Sequence, residues 1–320
     1  MMTPAQIRLN QNPILTSLLL GMGQGTYIAE ALFPRLPQAL SSVMLARIDN
    51  SRFKRYNLRR APGAATKRIE VKYDGRVYSL DQYSVEVPIP RELIRESDES
   101  RRLNVGNYLD ISRIAMVTAD GVLAQDYELD VAGVATLPGS YAAGHVVALA
   151  AGTKWSATTG TPVTDIRAAS DVIRKKVGKR PNKLILSADA QASLITNTEV
   201  RGYLPNTQMG PATMDQLKSI LNVTDIVTGD AIWTDANDVG QDIWGNNAVL
   251  AYVPTMGGPN NGDISLAEPA FGFTNVLEGH PFAETPYYSN DTKSWVYGAT
   301  FERRANVAYN TAAFLFQNPK

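Results

Sequence analysis

The sequence predicts an α+β fold made of an extended β-hairpin arm, one long helix and a compact α/β unit. Three observations carry this prediction. Between Thr164 and Val253 short apolar runs alternate with segments of helical period, as in a sheet with helices packed on it. From Tyr108 to about Val134 there is no proline, and apolar residues recur at the spacing of one helical face. Between Arg52 and Arg91 two runs alternate apolar with charged residues, the period of a strand covered on one face.

Residues 1–51 read as an N-terminal arm. The run Gly21-Met22-Gly23-Gln24-Gly25 lacks the third glycine of a dinucleotide loop at its proper spacing and the Gly-Lys-Ser/Thr of a nucleotide loop, so it reads as a flexible joint. Further on, Pro34 and Pro37 forbid a continuing helix. Leu32, Phe33, Pro34 and Leu36 then make an extended apolar strip that needs another surface to cover it.

Residues 52–91 read as a hairpin loop that leaves the body and returns. Its cations are Arg52, Lys54, Arg55, Arg59, Arg60, Lys67, Arg68, Lys72 and Arg76, against only Glu70 and Asp74 before Asp81 and Glu86. Ile69–Tyr73 and Tyr83–Val87 are the two predicted strands. Asp74-Gly75 between them is a hairpin signal, because glycine tolerates the positive φ of a tight turn. So polar a hairpin is marginal alone in water, and something else must complete it.

Residues 92–145 begin with a charge-dense stretch to Asn104. Asn107 reads as a helix N-cap with Asp110 three residues on. The helix that follows places Ile111, Ile114, Ala115, Val122 and Leu129 on one face and Asp110, Asp120, Gln125 and Glu128 largely elsewhere. Unbroken it would be roughly 40 Å long; the alternative is two helices parted at Gly121.

Residues 146–285 hold the α/β unit. Gly139–Thr161 is loop or hairpin, and Thr164 is expected to cap a helix carrying Ile166, Ala169, Ile173 and Val177. Lys175, Lys176 and Lys179 fit the negative end of that helix, which Gly178 and Pro181 stop. With Arg180 and Lys183 the same cluster suits a phosphate chain, although helix-end complementarity accounts for it more simply. Lys183–Ser187 reads as a buried strand whose Ser187 caps the helix Ala188–Thr196. Thr213 precedes a helix over Met214–Leu221, followed by strands at Asp225–Thr228 and Ala248–Val253. Residues 286–320 are strand-rich and expected to return to the domain of the long helix.

Much chemistry is excluded. With no cysteine there is no disulfide, thiolate metal site or cysteine nucleophile. No apolar run approaches the roughly 18 residues of a membrane span, and Pro13–Leu20 makes a poor secretory signal. His145 and His280 lie in no metal-ligand spacing or triad. Asp235-Ala236-Asn237-Asp238-Val239-Gly240 starts like a calcium loop but has Val239 and Asn246 where ligands are required. The aromatics form no stacking platform for nucleic acid. Lys+Arg and Asp+Glu both number 31, so the chain is no wholesale polyanion binder, yet the arm is basic and Glu92–Asp130 acidic. Opposite charge on two parts of one chain suits pairing between copies.

The order of these parts resembles the major capsid proteins of tailed bacteriophages, the lambdoid-type fold also used by encapsulin shells. Ala31-Leu32-Phe33-Pro34 resembles the family's N-arm phrase, with Pro37 as its second proline. Arg60-Ala61-Pro62-Gly63 sits where the extended loop is expected, and Tyr83–Pro90 resembles the strand leading back. Gly178–Leu186 and Ile243–Pro254 are similar to a helix-to-strand junction and a late strand of the axial domain. The resemblance spans nearly the whole chain and rests on order and spacing more than on any one phrase.

The resemblance implies a phage major-capsid fold: N-terminal arm, extended loop, peripheral domain with a spine helix, compact axial α/β domain and returning C-terminal strands. It implies a non-enzymatic subunit that self-assembles into pentamers and hexamers of an icosahedral or prolate shell around double-stranded DNA. Arg52, Arg55, Arg59, Arg60, Lys67, Arg68, Lys72 and Arg76 would then contact the next subunit, with Leu32, Phe33, Pro34 and Leu36 packing the arm. The implied partners are other copies, a portal protein, a separate scaffolding protein, a decoration protein, and DNA on the inner face. No cofactor, metal or membrane is implied, and the place is the virion, assembled in the host cytoplasm. An encapsulin-like compartment is the alternative shell; a hydrolase built on the α/β unit is a remote one.

Overall fold

Two sheets share one long helix. The structure, a computed structural model, describes residues 27–48, 55, 57–62, 66, 68, 73–102, 110–204, 210–254 and 269–320. The chain enters through a single-turn helix α1 (Ala29–Leu32), ended by Pro34, and strand β1 (Arg35–Gln38). Strands β2 (Ser42–Ile48) and β3 (Tyr73–Ser79) pair with each other as a two-stranded antiparallel ribbon. Strand β4 (Asp81–Pro90) returns to the body and runs into helix α2 (Arg91–Arg102).

The expected hairpin between the two strands of residues 52–91 does not form: β3 and β4 lie in different sheets. Asp74 and Gly75 lie within β3, opposite Arg47 and Ala46, rather than at a turn. The chain bends instead at Leu80, whose N–H donates to the Ser41 carbonyl at 2.8 Å. A local turn signal lost to pairing partners: β3 finds β2 in the N-terminal arm, and β4 finds a distant strand. Expected residues Ile69–Lys72 lie outside the described set.

The spine helix α3 (Ile111–Thr136) has 26 residues, about 39 Å of helix, unbroken at Gly121. Its cap is Asp110, which accepts from the Arg113 N–H at 3.1 Å, in place of the expected Asn107. The buried face is also rotated from the expected one. Ala115, Met116, Ala119, Leu123, Tyr127, Val131, Ala132 and Ala135 are buried, while Ile114 and Val122 are exposed. Small alanines let the helix lie close to a sheet, and the sequence period did not distinguish that face from its flank.

The six-stranded sheet is organised by β14 (Ser294–Val307), the longest strand. One edge pairs with β4 from Ser294 to Arg303. The other edge takes β13 (Tyr287–Ser289), β12 (Phe282–Ala283) and β11 (Gly272–Leu277) in turn. Strand β1 completes it, parallel to β11. Helix α3 packs on β14 and β4.

The second sheet runs β5 (Val146–Ala148), β15 (Ala313–Gln317), β10 (Asn247–Ala251), β6 (Lys183–Ser187) and β7 (Asp225–Gly229). Its helices include α4 (Pro162–Val177), α5 (Ala188–Thr196), α6 (Thr198–Gly202) and α7 (Met214–Leu221). Ser187 caps α5 as expected, and Thr213, which precedes its helix as expected, forms a capping box with Gln216. The N-cap of α4 is Thr161, not Thr164; Thr164 lies in the first turn, where its N–H and hydroxyl donate to Glu199. Gly178 ends α4 at φ 79°, a left-handed position that glycine takes without strain. A small two-stranded ribbon, β8 (Ile232–Thr234) and β9 (Gly240–Asp242), lies before β10.

The sheets cut across the expected segment limits. β11 and β12, inside residues 146–285, join the sheet of the spine helix, while β15, inside residues 286–320, joins the second sheet. The reason is burial: Ala313, Phe314, Leu315 and Phe316 are all buried, so β15 needs covered neighbours on both edges.

Candidate functional site

For this chain the candidate site is a set of surfaces and joints. Its first joint is the root of the N-terminal arm. Leu32, Phe33 and Pro34 are buried against the chain's own body, and Leu36 packs on Ala270 and Phe273. The cover that the apolar strip requires is therefore intramolecular at these residues. Phe33 lies edge-on to Phe271, with ring centroids 5.4 Å apart. Gly272 makes room for it, since a Cβ there would overlap the Phe33 ring and the Asn306 carbonyl.

The N–H groups that open α1 have no side-chain cap of their own. They donate to a carboxylate from the middle of α3: Ile28 N–H to both oxygens of Glu128 at 3.0 Å, Ala29 N–H to Oε2 at 2.8 Å. The Trp244 indole N–H, just before β10, donates to Oε1 at 2.6 Å. Glu128 is fully buried and holds no cation among these contacts. Burial pushes its carboxyl above the ordinary glutamate value, with the three N–H donors acting against the shift. At the other end of α1 the Lys183 ammonium, from β6, donates to the Ala31 carbonyl at 3.0 Å.

The second joint holds β14 to the spine. Arg303 is buried and pairs with Asp126 at 2.6 Å and with Asp130, one helical turn apart on α3. Its guanidinium lies over Tyr83 at 4.0 Å, with Tyr127 and Phe301 farther round. The stack matches a weakly hydrated planar cation to aromatic faces. Burial raises the Asp130 carboxyl, and Arg303 opposes the rise. Tyr127 donates toward or accepts from Thr274 at 2.9 Å, and burial pushes its phenol up to about 12.

The third feature is the ribbon and the loop beyond it. Arg55, Arg59, Arg60 and Arg68 are exposed, as are Leu58 at 67% and Val77 at 69%. Arg52, Lys67 and Lys72 lie outside the described residues, and Arg76 is placed only by its pairing with Leu45. The acidic stretch Glu92–Asp130 is narrower as a surface than its composition suggests. Asp126 and Asp130 are taken by Arg303, and Glu128 is buried. Glu92, Glu96, Asp98, Glu99 and Asp110 remain exposed, mostly on α2.

The histidines have structural roles. Buried His145 bonds through Nδ1 to the Ala313 carbonyl at 2.9 Å. His280 accepts from the Glu302 N–H at 3.0 Å, and burial lowers its pKa. Asp235 accepts from the N–H groups of Asn237 and Val239, which closes its own loop. Among the described residues no His, Cys, Asp or Glu cluster suits a metal ion, and no helix is long and apolar enough to cross a membrane.

Sequence reasoning missed Glu128, Arg303 and Trp244. The helical period puts Glu128 off the apolar face, and no local signal contradicts that. The one usable hint was Asp126, Glu128 and Asp130 on a helix whose flanking positions are apolar.

A two-sheet subunit with a spine helix, a projecting ribbon and an anchored arm is the architecture of a phage-type shell protein. The capsid structure of cyanophage P-SCSP1u shares it at 13% identity and a TM-score of 0.58, over 93% of this chain and 89% of that one. A family model described as phage major capsid protein E matches residues 141–267. The major capsid protein of Burkholderia phage BcepMu is 31% identical over 275 residues, 86% of either chain. A crystal structure of a phage-related protein from Bordetella bronchiseptica RB50 is 32% identical, with a TM-score of 0.75 over 97% of each chain. The chain belongs to the phage major capsid proteins, a family of structural shell subunits rather than enzymes.

Proposed function

We propose that this subunit assembles into pentamers and hexamers of a closed shell around double-stranded DNA. The observation that supports this best is the ribbon. Strands β2 and β3 pair only with each other among the described residues; β3 carries the exposed Val77, and Arg55, Arg59, Arg60 and Arg68 between the two strands are exposed. Such a ribbon is marginal alone, so a neighbouring copy is the natural surface to complete it. The exposed carboxylates of α2 offer the matching charge. Repeated modest contacts of this kind become strong through closed symmetry.

In this reading residues 1–51 are the arm, 52–91 the extended loop and 92–145 the peripheral domain. Residues 146–285 hold most of the axial domain, which β15 completes, and 286–320 otherwise carry the strand that returns to the spine helix. The loop cations Arg52, Arg55, Arg59, Arg60, Lys67, Arg68, Lys72 and Arg76 are aimed at protein, and DNA meets only the inner face. A portal protein, a separate scaffolding protein and a decoration protein would complete the particle, which would assemble in the host cytoplasm.

Electron microscopy of the full chain tests the reading. Closed particles with five-fold and six-fold clusters are expected for the wild type. Arg59→Glu with Arg60→Glu should leave a folded monomer that forms none. Normal particles from that variant would remove the ribbon from the assembly contacts. Closed particles that copurify one enzyme and no DNA would point instead to an encapsulin-like compartment.

A further inference from the structure

We infer that Glu128 is the positioning residue of the N-terminal arm, and that it couples the arm's point of departure to the second sheet through Trp244. Three elements far apart in sequence meet at one carboxylate. The opening N–H groups of α1 and the indole N–H of Trp244 converge on the carboxylate of Glu128 on the spine helix. All three are donors, so only an acceptor can sit between them. A glutamine would turn its own N–H₂ toward one of them. Buried donors left without an acceptor are costly, so each donor that loses the carboxylate weakens the joint.

Trp244 is itself fixed. Its ring fills the space over Gly229, where a Cβ would overlap it, and Gly229 ends β7. The indole therefore reports the position of the second sheet. Lys183, at the start of β6, holds the Ala31 carbonyl, so that sheet grips the far end of α1 as well. A shift of the second sheet against the spine would withdraw the indole from Oε1 and the ammonium from Ala31 together, and so loosen the root from which the arm leaves. The charged groups around the root are Glu30, Arg35, Asp120 and Lys183, and Arg35 pairs with Glu30. This inference concerns the single subunit and stands independently of the proposed shell geometry.

The test is backbone hydrogen exchange of the full chain, read on peptides covering Ile28 and Ala29 and on peptides from β6 and β10. Glu128→Ala should speed exchange at the arm root about tenfold while β6 and β10 keep their protection. Trp244→Phe removes the donor and keeps the ring, and should speed the root about fivefold in the wild-type background. In the Glu128→Ala background the same change should add nothing, because the indole acts only through the carboxylate. Equal effects of Trp244→Phe in both backgrounds, or none in the wild type, would overturn the coupling. Exchange rising throughout the second sheet would reduce Glu128 to a packing residue. If Glu128→Ala does not fold, Glu128→Gln serves in the same cycle, with a smaller rise expected at the same peptides.

Discussion

Two buried charges meet at the spine helix and are stabilised in opposite ways: Glu128 belongs to the helix, and Arg303 reaches its Asp126 and Asp130 from β14. Glu128 is an anion surrounded by neutral N–H donors. Arg303 is a cation matched by two aspartates and stacked on rings. The difference follows from what each site joins. β14 crosses the helix as rigid sheet, so an ion pair with fixed geometry can form. The arm root offers mainly orphaned backbone N–H groups, for which a carboxylate is the strongest neutral-free acceptor. One joint pins a strand to the spine helix; the other holds the short helix with which the described chain begins.

The largest expected effect breaks the joint at β14. Arg303→Ala leaves two aspartates facing each other over an apolar sheet. It should cost about 3 kcal/mol, the low end for a broken buried pair because Asp126 and Asp130 are partly exposed. Urea unfolding at neutral pH measures it; a loss under about 1 kcal/mol would mean that neither the ion pairs nor the stack holds β14, and that its strand pairing with β4 suffices.

A middling effect separates the two sites by pH. Burial raises the Glu128 carboxyl in the folded chain above its ordinary value of 4.5. The folded state thus binds that proton more tightly than the unfolded one. Its contribution is fully present below the ordinary value and is lost as pH rises through the raised one. Stability of the wild type relative to Glu128→Gln should therefore improve as pH falls from neutral toward 4.5, and paired thermal melts across that range check it. Asp130 shifts the same way but is common to both proteins, so it cancels. A flat difference would place Glu128 in contact with water.

The smallest effect on the subunit is expected at the ribbon. Val77→Ser should change monomer stability by less than about 0.5 kcal/mol, because the side chain is 69% exposed. Particle yield by light scattering should nevertheless fall. Unchanged yield would show that Val77 lies off the contact.

Much of the fold was legible in sequence because its signals are local. The capping serine at Ser187, the helix start after Thr213 and the stop at Gly178 act within one turn of chain, and each is found where it is expected. The long proline-free helix, the α/β alternation and the order of parts were readable for the same reason. The pairing of β3 with β2, the place of β15 in the second sheet and the buried face of α3 were not. Each depends on which distant strand offers a free edge, and a two-residue turn signal such as Asp74-Gly75 is weak against a whole ladder of hydrogen bonds. Glu128 and Arg303 read as ordinary surface charges until their partners, 100 and 173 residues away, are brought to them. Sequence alone determined the elements and the family; the tertiary structure decided which charges are buried, since burial belongs to the assembled layers and not to any one segment.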